Sequence, residues 1–211
     1  MARVEPIEGF VLAGGESSRF GKDKALASLG GERMLTRMCK LLAKSANSVA
    51  VVCPPGRYEG GLALDHIPQL DDRWPGEGPL GGILTALRDT EATTNCAWNI
   101  IISCDMPFLT HEWIEHLCDR ARFSAAQVVI PQSEHGLEPL CACWRTSAAT
   151  MIQEQFDAGA RKVTEALKPL TLEVLDEKDW KRFDSARRLF WNMNTQADYE
   201  EAQRALKTGL R

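Results

Sequence analysis

Short apolar runs alternate along this chain with segments whose apolar residues recur every three or four positions, and that alternation limits the available folds more than any other feature. Phe10 to Ala13 reads as a buried strand, Met34, Leu35, Met38, Leu41 and Leu42 mark one face of a helix, and Val49 to Cys53 reads as a second strand. The order repeats with a helix carrying Leu80, Ile83, Leu84 and Leu87, a strand at Trp98 to Ser103, a helix from Thr110 to about Ala121, and a strand at Gln127 to Pro131. Parallel strands need helical crossovers on the sheet faces, so the expected class is α/β, a mostly parallel sheet wrapped by helices. Leu137 to Trp144 is a further apolar run and Leu172 to Leu175 a weaker one; Thr195 should cap a final helix with Asp198 at its third position. Pro54 to Pro79 reads as one long irregular connection. With 211 residues and no internal repeat or linker-like tract, a single domain is expected.

The first strand runs into LAGGESSRFGKDKA, Leu12 to Ala25. Gly14 and Gly15 let the backbone turn and approach a ligand with N–H groups free for oxyanions, and Arg19, Lys22 and Lys24 follow within a dozen residues. This is a plausible polyphosphate holder, yet neither common phosphate motif fits. A P-loop has four residues before its Gly-Lys pair and then Ser or Thr; here five separate Gly15 from Gly21, and Lys22 precedes Asp23. Adjacent Gly14 and Gly15 do not make Gly-x-Gly-x-x-Gly either.

A formal net charge of -4 argues against a nucleic-acid surface, so the basic residues after Gly15 read as a local site for a small anion. Seven cysteines without a Cys-x-x-Cys pair read as reduced, buried thiols, with Cys141 and Cys143 on one face of a strand. No segment approaches the roughly 18 apolar residues of a membrane span and the N-terminus has no hydrophobic signal core, which together predict a cytoplasmic protein. The four histidines form no ligand pattern, and no nucleophile and base pair stands out. That suits phosphoryl chemistry carried by positioning and a metal.

LAGGESSRFGKDKA, GPLGG at Gly78 to Gly82, SCDMPFL at Ser103 to Leu109, EPLCACWR at Glu138 to Arg145 and NMNTQADYEEA at Asn192 to Ala202 together resemble the molybdenum cofactor guanylyltransferases, nearly end to end. The resemblance implies a Rossmann-like three-layer α/β/α fold of the nucleotide-diphospho-sugar transferase kind. It also implies magnesium-dependent transfer of GMP from GTP to the terminal phosphate of molybdopterin, releasing pyrophosphate. Molybdoenzyme chaperones or apoenzymes are then the implied partners. CTP in place of GTP, or a nucleotide-binding module without catalysis, are the alternatives.

Asp105 follows the apolar run Ile100 to Ile102 directly, where an aspartate serves equally as a turn or cap residue; the resemblance makes it the metal ligand. Asn194 either shapes the helix entry at Thr195 or, by resemblance, brings a second ligand. Gly14, Asp105 and Asn194 should each lie just past a strand. Lys24, then Arg19, would face the triphosphate, with Asp23 a local partner for these cations. By resemblance, the backbone of Leu12, Ala13, Gly14 and Gly15 contacts guanine, and the missing methyl at Gly14 leaves room for a purine. On spacing alone Asp71 and the adjacent Asp72 read equally as an acidic turn pair; by resemblance Asp71, with Asp72 as the alternative, would accept from the N1–H and amino group of guanine. Gly81 and Gly82 open a helix, either for close approach of a phosphate or for packing. Glu138, Pro139, Arg145 and Asn192, with Arg161 and Lys162, resemble the acceptor half of the cleft.

Overall fold

The computed structural model describes residues 5–14, 23–58, 67–184 and 186–208. Strands β1 (Ile7–Leu12), β4 (Ser48–Cys53), β5 (Gln69–Asp71), β6 (Trp98–Ser103), β7 (Val128–Ser133), β9 (Cys141–Arg145) and β10 (Leu172–Leu175) form the main sheet in the order β10-β7-β9-β6-β1-β4-β5, with the two-residue β8 (Gly136–Leu137) paired to β7. A separate hairpin joins β2 (Ser28–Leu29) to β3 (Glu32–Arg33). β1 pairs in parallel with both β4 and β6, β4 with β5, and β7 with β10; β9 runs antiparallel to β6 and β7. The carboxyl ends of all main-sheet strands except β9 therefore share one edge.

Both faces of this sheet are covered, as the apolar runs require. Ile7, Val11, Ile100 and Ile102 point into a core with α1 (Met34–Leu42) and α3 (His111–Phe123). Phe10, Leu12 and Ile101 point into a second core with α2 (Pro79–Thr93) and α4 (Ala149–Asp157). Ile100, Ile101 and Ile102 have no exposed surface, and each contributes about 1.5–3 kcal/mol of burial free energy. The three-layer α/β/α expectation holds. Gly9 lets β1 lie tight against the chain entering β4, since a Cβ there would come within 2.9 Å of Ala46 Cβ.

Three details differ from the sequence reading. The Leu137 to Trp144 run is broken by a turn into β8 and β9. The long connection from Pro54 contains β5, whose Gln-Leu-Asp carries no strand pattern and is ordered by pairing to β4. No strand precedes Asn194: residues 191–194 are irregular, and the chain is held there because Met193 N donates to Asp105 O at 2.8 Å. The capping box of the last helix (Gln196–Lys207), Thr195 with Asp198, is present. Among the described residues, no helix is long and apolar enough to cross a membrane. All seven cysteines are unpaired and buried.

Candidate active site

Two cavities open along the carboxyl edge of the sheet. One, of about 450 Å³, lies over β1 and β4 and is lined by Leu12, Gly14, Val52, Pro54, Asp72 and Ser103 among others. The other, of about 760 Å³, lies beyond β7 and β10 and is lined in part by Gln132, Asp176, Trp180, Lys181 and Trp191. Asp105 lies two residues past the end of β6; it lines neither cavity itself, but Ser103 lines the first and Trp191 the second.

Asp105 is fixed from both sides by the backbone. Cys104 N donates to Leu12 O at 3.2 Å, and Asp105 O accepts from Met193 N. Its side chain accepts from Ser103 Oγ at Oδ1, 2.6 Å, while Oδ2 lies 3.6 Å from Lys24 Nζ. Lys24 Nζ also donates to Asn194 Oδ1 at 2.7 Å, across 170 residues of sequence. Asn194 is held by Asp198, whose Oδ2 accepts from the N–H groups of Asn194 and Thr195, each at 2.7 Å. Burial pushes the Asp198 carboxyl up, but those hydrogen bonds outweigh it and leave the group below the ordinary aspartate value. Lys24, Asp105 and Asn194, read separately from the sequence, therefore converge on one point.

The donor set suits magnesium. Two oxygens, a carboxylate and an amide carbonyl, converge on the Lys24 ammonium, and both are of the hard-oxygen kind that magnesium takes alongside phosphate oxygens and water. Among the described residues no cluster of three or more His, Cys, Asp or Glu side chains exists, which removes a zinc-like cage from consideration there.

A clamp that sequence reasoning missed holds the cationic segment against β1. Asp23 Oδ1 accepts from Ala25 N at 3.0 Å, starting the single 3-10 turn Lys24–Leu26, and Asp23 Oδ2 accepts from Arg57 Nε at 3.0 Å and Tyr58 OH at 3.2 Å. Tyr58 OH also reaches Ala13 O at 3.3 Å. Asp23 is thus a local partner of a cation, which among the described residues is Arg57; Arg19 and Lys22 lie outside them. Tyr58→Phe keeps the buried ring and deletes the hydroxyl shared by Ala13 and Asp23. It is expected to cost about 1 kcal/mol of stability, read as a lower urea midpoint at unchanged m-value. An unmoved midpoint would show that the hydroxyl contributes nothing.

The remaining candidates separate. Ala13 N donates to Val52 O, so that N–H is already engaged, whereas Gly14 faces the cavity. Asp71 is exposed at the end of β5 opposite Cys53 and does not line the cavity. Asp72 does, and its Oδ1 accepts from Trp74 N at 3.0 Å and Thr85 Oγ1 at 3.1 Å, which shapes the loop entering α2. A Cβ at Gly81 would lie 3.0 Å from Trp74 O, so this glycine serves the packing of that loop; Gly82 lines the cavity. Glu138 is buried, accepts from Ser133 Oγ at 2.6 Å, and burial raises its carboxyl above the ordinary value. Pro139 lies in the turn before β9, and Asn192 donates to Phe190 O beside Trp191.

Arg145 does not belong to the acceptor half. Because β9 is antiparallel, Arg145 pairs with Trp98 at the opposite edge of the sheet, where its guanidinium donates to Ala126 O and Ser124 O and covers the Trp98 ring. Arg161 pairs with Glu77 of the loop before α2, on the side of the smaller cavity. Arg19 and Gly15 lie outside the described residues.

Residues 9–171 match the family model described as the MobA-like NTP transferase domain. A protein from Bacillus cereus described as a probable molybdenum cofactor guanylyltransferase is 30% identical over 94% of this chain and 96% of its own length. A molybdenum cofactor guanylyltransferase from Desulfosudis oleivorans is 28% identical, with 98% of both chains covered. Among solved structures, the molybdopterin-guanine dinucleotide biosynthesis protein A of Archaeoglobus fulgidus superposes with a TM-score of 0.82 at 25% identity, covering 96% of this chain and 100% of that one. The 2-C-methyl-D-erythritol 4-phosphate cytidylyltransferase of Thermus thermophilus shares the fold, with a TM-score of 0.67 at 11% identity over 94% of this chain and 98% of its own.

Proposed function

The chain belongs to the MobA-like NTP transferase family and is a nucleotidyltransferase, and on that premise we propose that it transfers GMP from GTP to the terminal phosphate of molybdopterin, with magnesium. The relatives described as molybdenum cofactor guanylyltransferases, matched over nearly their whole length, support the choice of reaction. The observation that carries it is the meeting of Lys24, Asp105 and Asn194 beyond the end of β6.

In this reading the cavity over β1 and β4 takes the nucleotide and the cavity beyond β7 and β10 takes the acceptor, so the two phosphates approach from opposite sides of Asp105. An oxygen of the acceptor phosphate forms a bond to the α-phosphorus while the bond to the bridging oxygen breaks and pyrophosphate departs. Lys24 holds its ammonium against the β and γ phosphates, where negative charge grows. Asp105 and Asn194 would hold the magnesium, which would neutralise charge on phosphate oxygens. Trp180 and Trp191 line the acceptor cavity and supply aromatic surface for the fused rings of the acceptor.

Gly14 carries the base preference. Among the described residues a Cβ at this position would meet only Pro54 Cδ, at 3.7 Å, an ordinary contact that alanine can make. Gly14→Ala is therefore expected to lower kcat/KM for GTP more than for CTP, and an unchanged ratio would remove Gly14 from base selection. Pyrophosphate release from each NTP in the presence of molybdopterin tests the assignment. GTP should be preferred, and equal or better turnover with CTP would overturn the guanylyl reading.

A further inference from the structure

Ser103 is the last residue of β6, lines the nucleotide cavity, and is 9% exposed. Its backbone has little freedom, because its N–H donates to Leu140 O at 2.9 Å and it stands in register with Leu12 of β1. From that fixed position its hydroxyl donates to Asp105 Oδ1 at 2.6 Å, the short distance typical of a hydroxyl on a carboxylate. The second oxygen, Oδ2, is the one that looks toward Lys24 at 3.6 Å. An aspartate χ2 is otherwise a broad torsion that lets the two oxygens exchange roles.

We propose that Ser103 is a positioning residue that occupies Oδ1 of Asp105, so that Oδ2 alone is presented to the divalent cation. This rests on the metal role read above for Asp105. A ligating carboxylate that is itself hydrogen-bonded enters coordination already oriented, and loss of such an outer partner typically weakens metal binding about 10–100-fold. The serine hydroxyl stays neutral, so it orients the carboxylate without cancelling its charge. Nothing in the pattern Ser-Cys-Asp announces this role, since the hydroxyl turns back over Cys104 to reach the aspartate two residues on.

The test uses Mn²⁺ as the probe, with affinity measured calorimetrically on the full chain alone and with GTP. Ser103→Ala should bind Mn²⁺ about 10–100-fold more weakly at an unchanged melting temperature, and the KM for the metal should rise while the KM for GTP at saturating metal stays put. Ser103→Thr, which keeps the hydroxyl, should restore most of the affinity. Ser103→Ala binding Mn²⁺ as tightly as the parent overturns the proposal even if turnover falls. Asp105→Ala separates the two levels. If it too binds Mn²⁺ like the parent, the metal reading of Asp105 fails; if it loses the metal while Ser103→Ala does not, only the positioning role fails.

Discussion

Lys24→Ala is expected to lower kcat for pyrophosphate release by about a hundredfold or more, the scale of about 3 kcal/mol for losing one fixed electrostatic partner of a developing charge. The fold should survive, because the Lys24 side chain retains 18% of its accessible surface and its partner Asp105 retains 19%, so water can solvate the carboxylate left behind. The 3-10 turn that carries Lys24 is started by Asp23, not by the lysine, and should form regardless. Lys24→Arg should recover only part of the rate, since a planar fork replaces a compact ammonium that now meets Asn194 at 2.7 Å. A rate for Lys24→Ala within a fewfold of the parent would show that the ammonium does not face the reacting phosphates.

The second large effect is expected at Asp105. Asp105→Asn preserves shape and the Ser103 hydrogen bond can persist, so no cavity opens and stability should barely change. What disappears is the negative charge, and an amide N–H₂ turned toward Lys24 would oppose the ammonium instead of pairing with it. If the carboxylate anchors the metal that stabilises transition-state charge by several kcal/mol, turnover should fall about a thousandfold. The double variant Lys24→Ala with Asp105→Asn should lose less than the sum of the two losses, because both act on the same charge. Additive losses, or a mild Asp105→Asn phenotype, would place the two side chains in separate functions.

Much of this arrangement was legible before any coordinates. The strands at Trp98 and Val49, the α1 stripe of Met34, Leu35 and Met38, and the Thr195 capping box are local patterns, and local patterns report burial and termini directly. Lys24 stood out as a cation after the glycine turn, whereas Asp105 and Asn194 read equally well as turn or cap residues and took a metal role only from the resemblance. The choice between Asp71 and Asp72 was not legible, because one residue along an edge strand changes the face and β5 has no alternation to reveal which face is which.

Composition and periodicity were sufficient for an α/β chain, for the order of β1, α1, β4, α2, β6, α3 and β7, and for a cationic segment after the first strand. Strand direction and long-range contact decided the rest. The antiparallel run of β9 carries Arg145 to the far edge of the sheet, where a parallel strand would have brought it to the cleft. The clamp of Asp23 with Tyr58, the seat of Asn194 against Lys24, and the two cavities at the carboxyl edge all join residues far apart in the chain. A hydrophobic pattern specifies which side of an element is buried; it does not specify which distant element will lie opposite, and that is set by how the whole sheet pairs and packs.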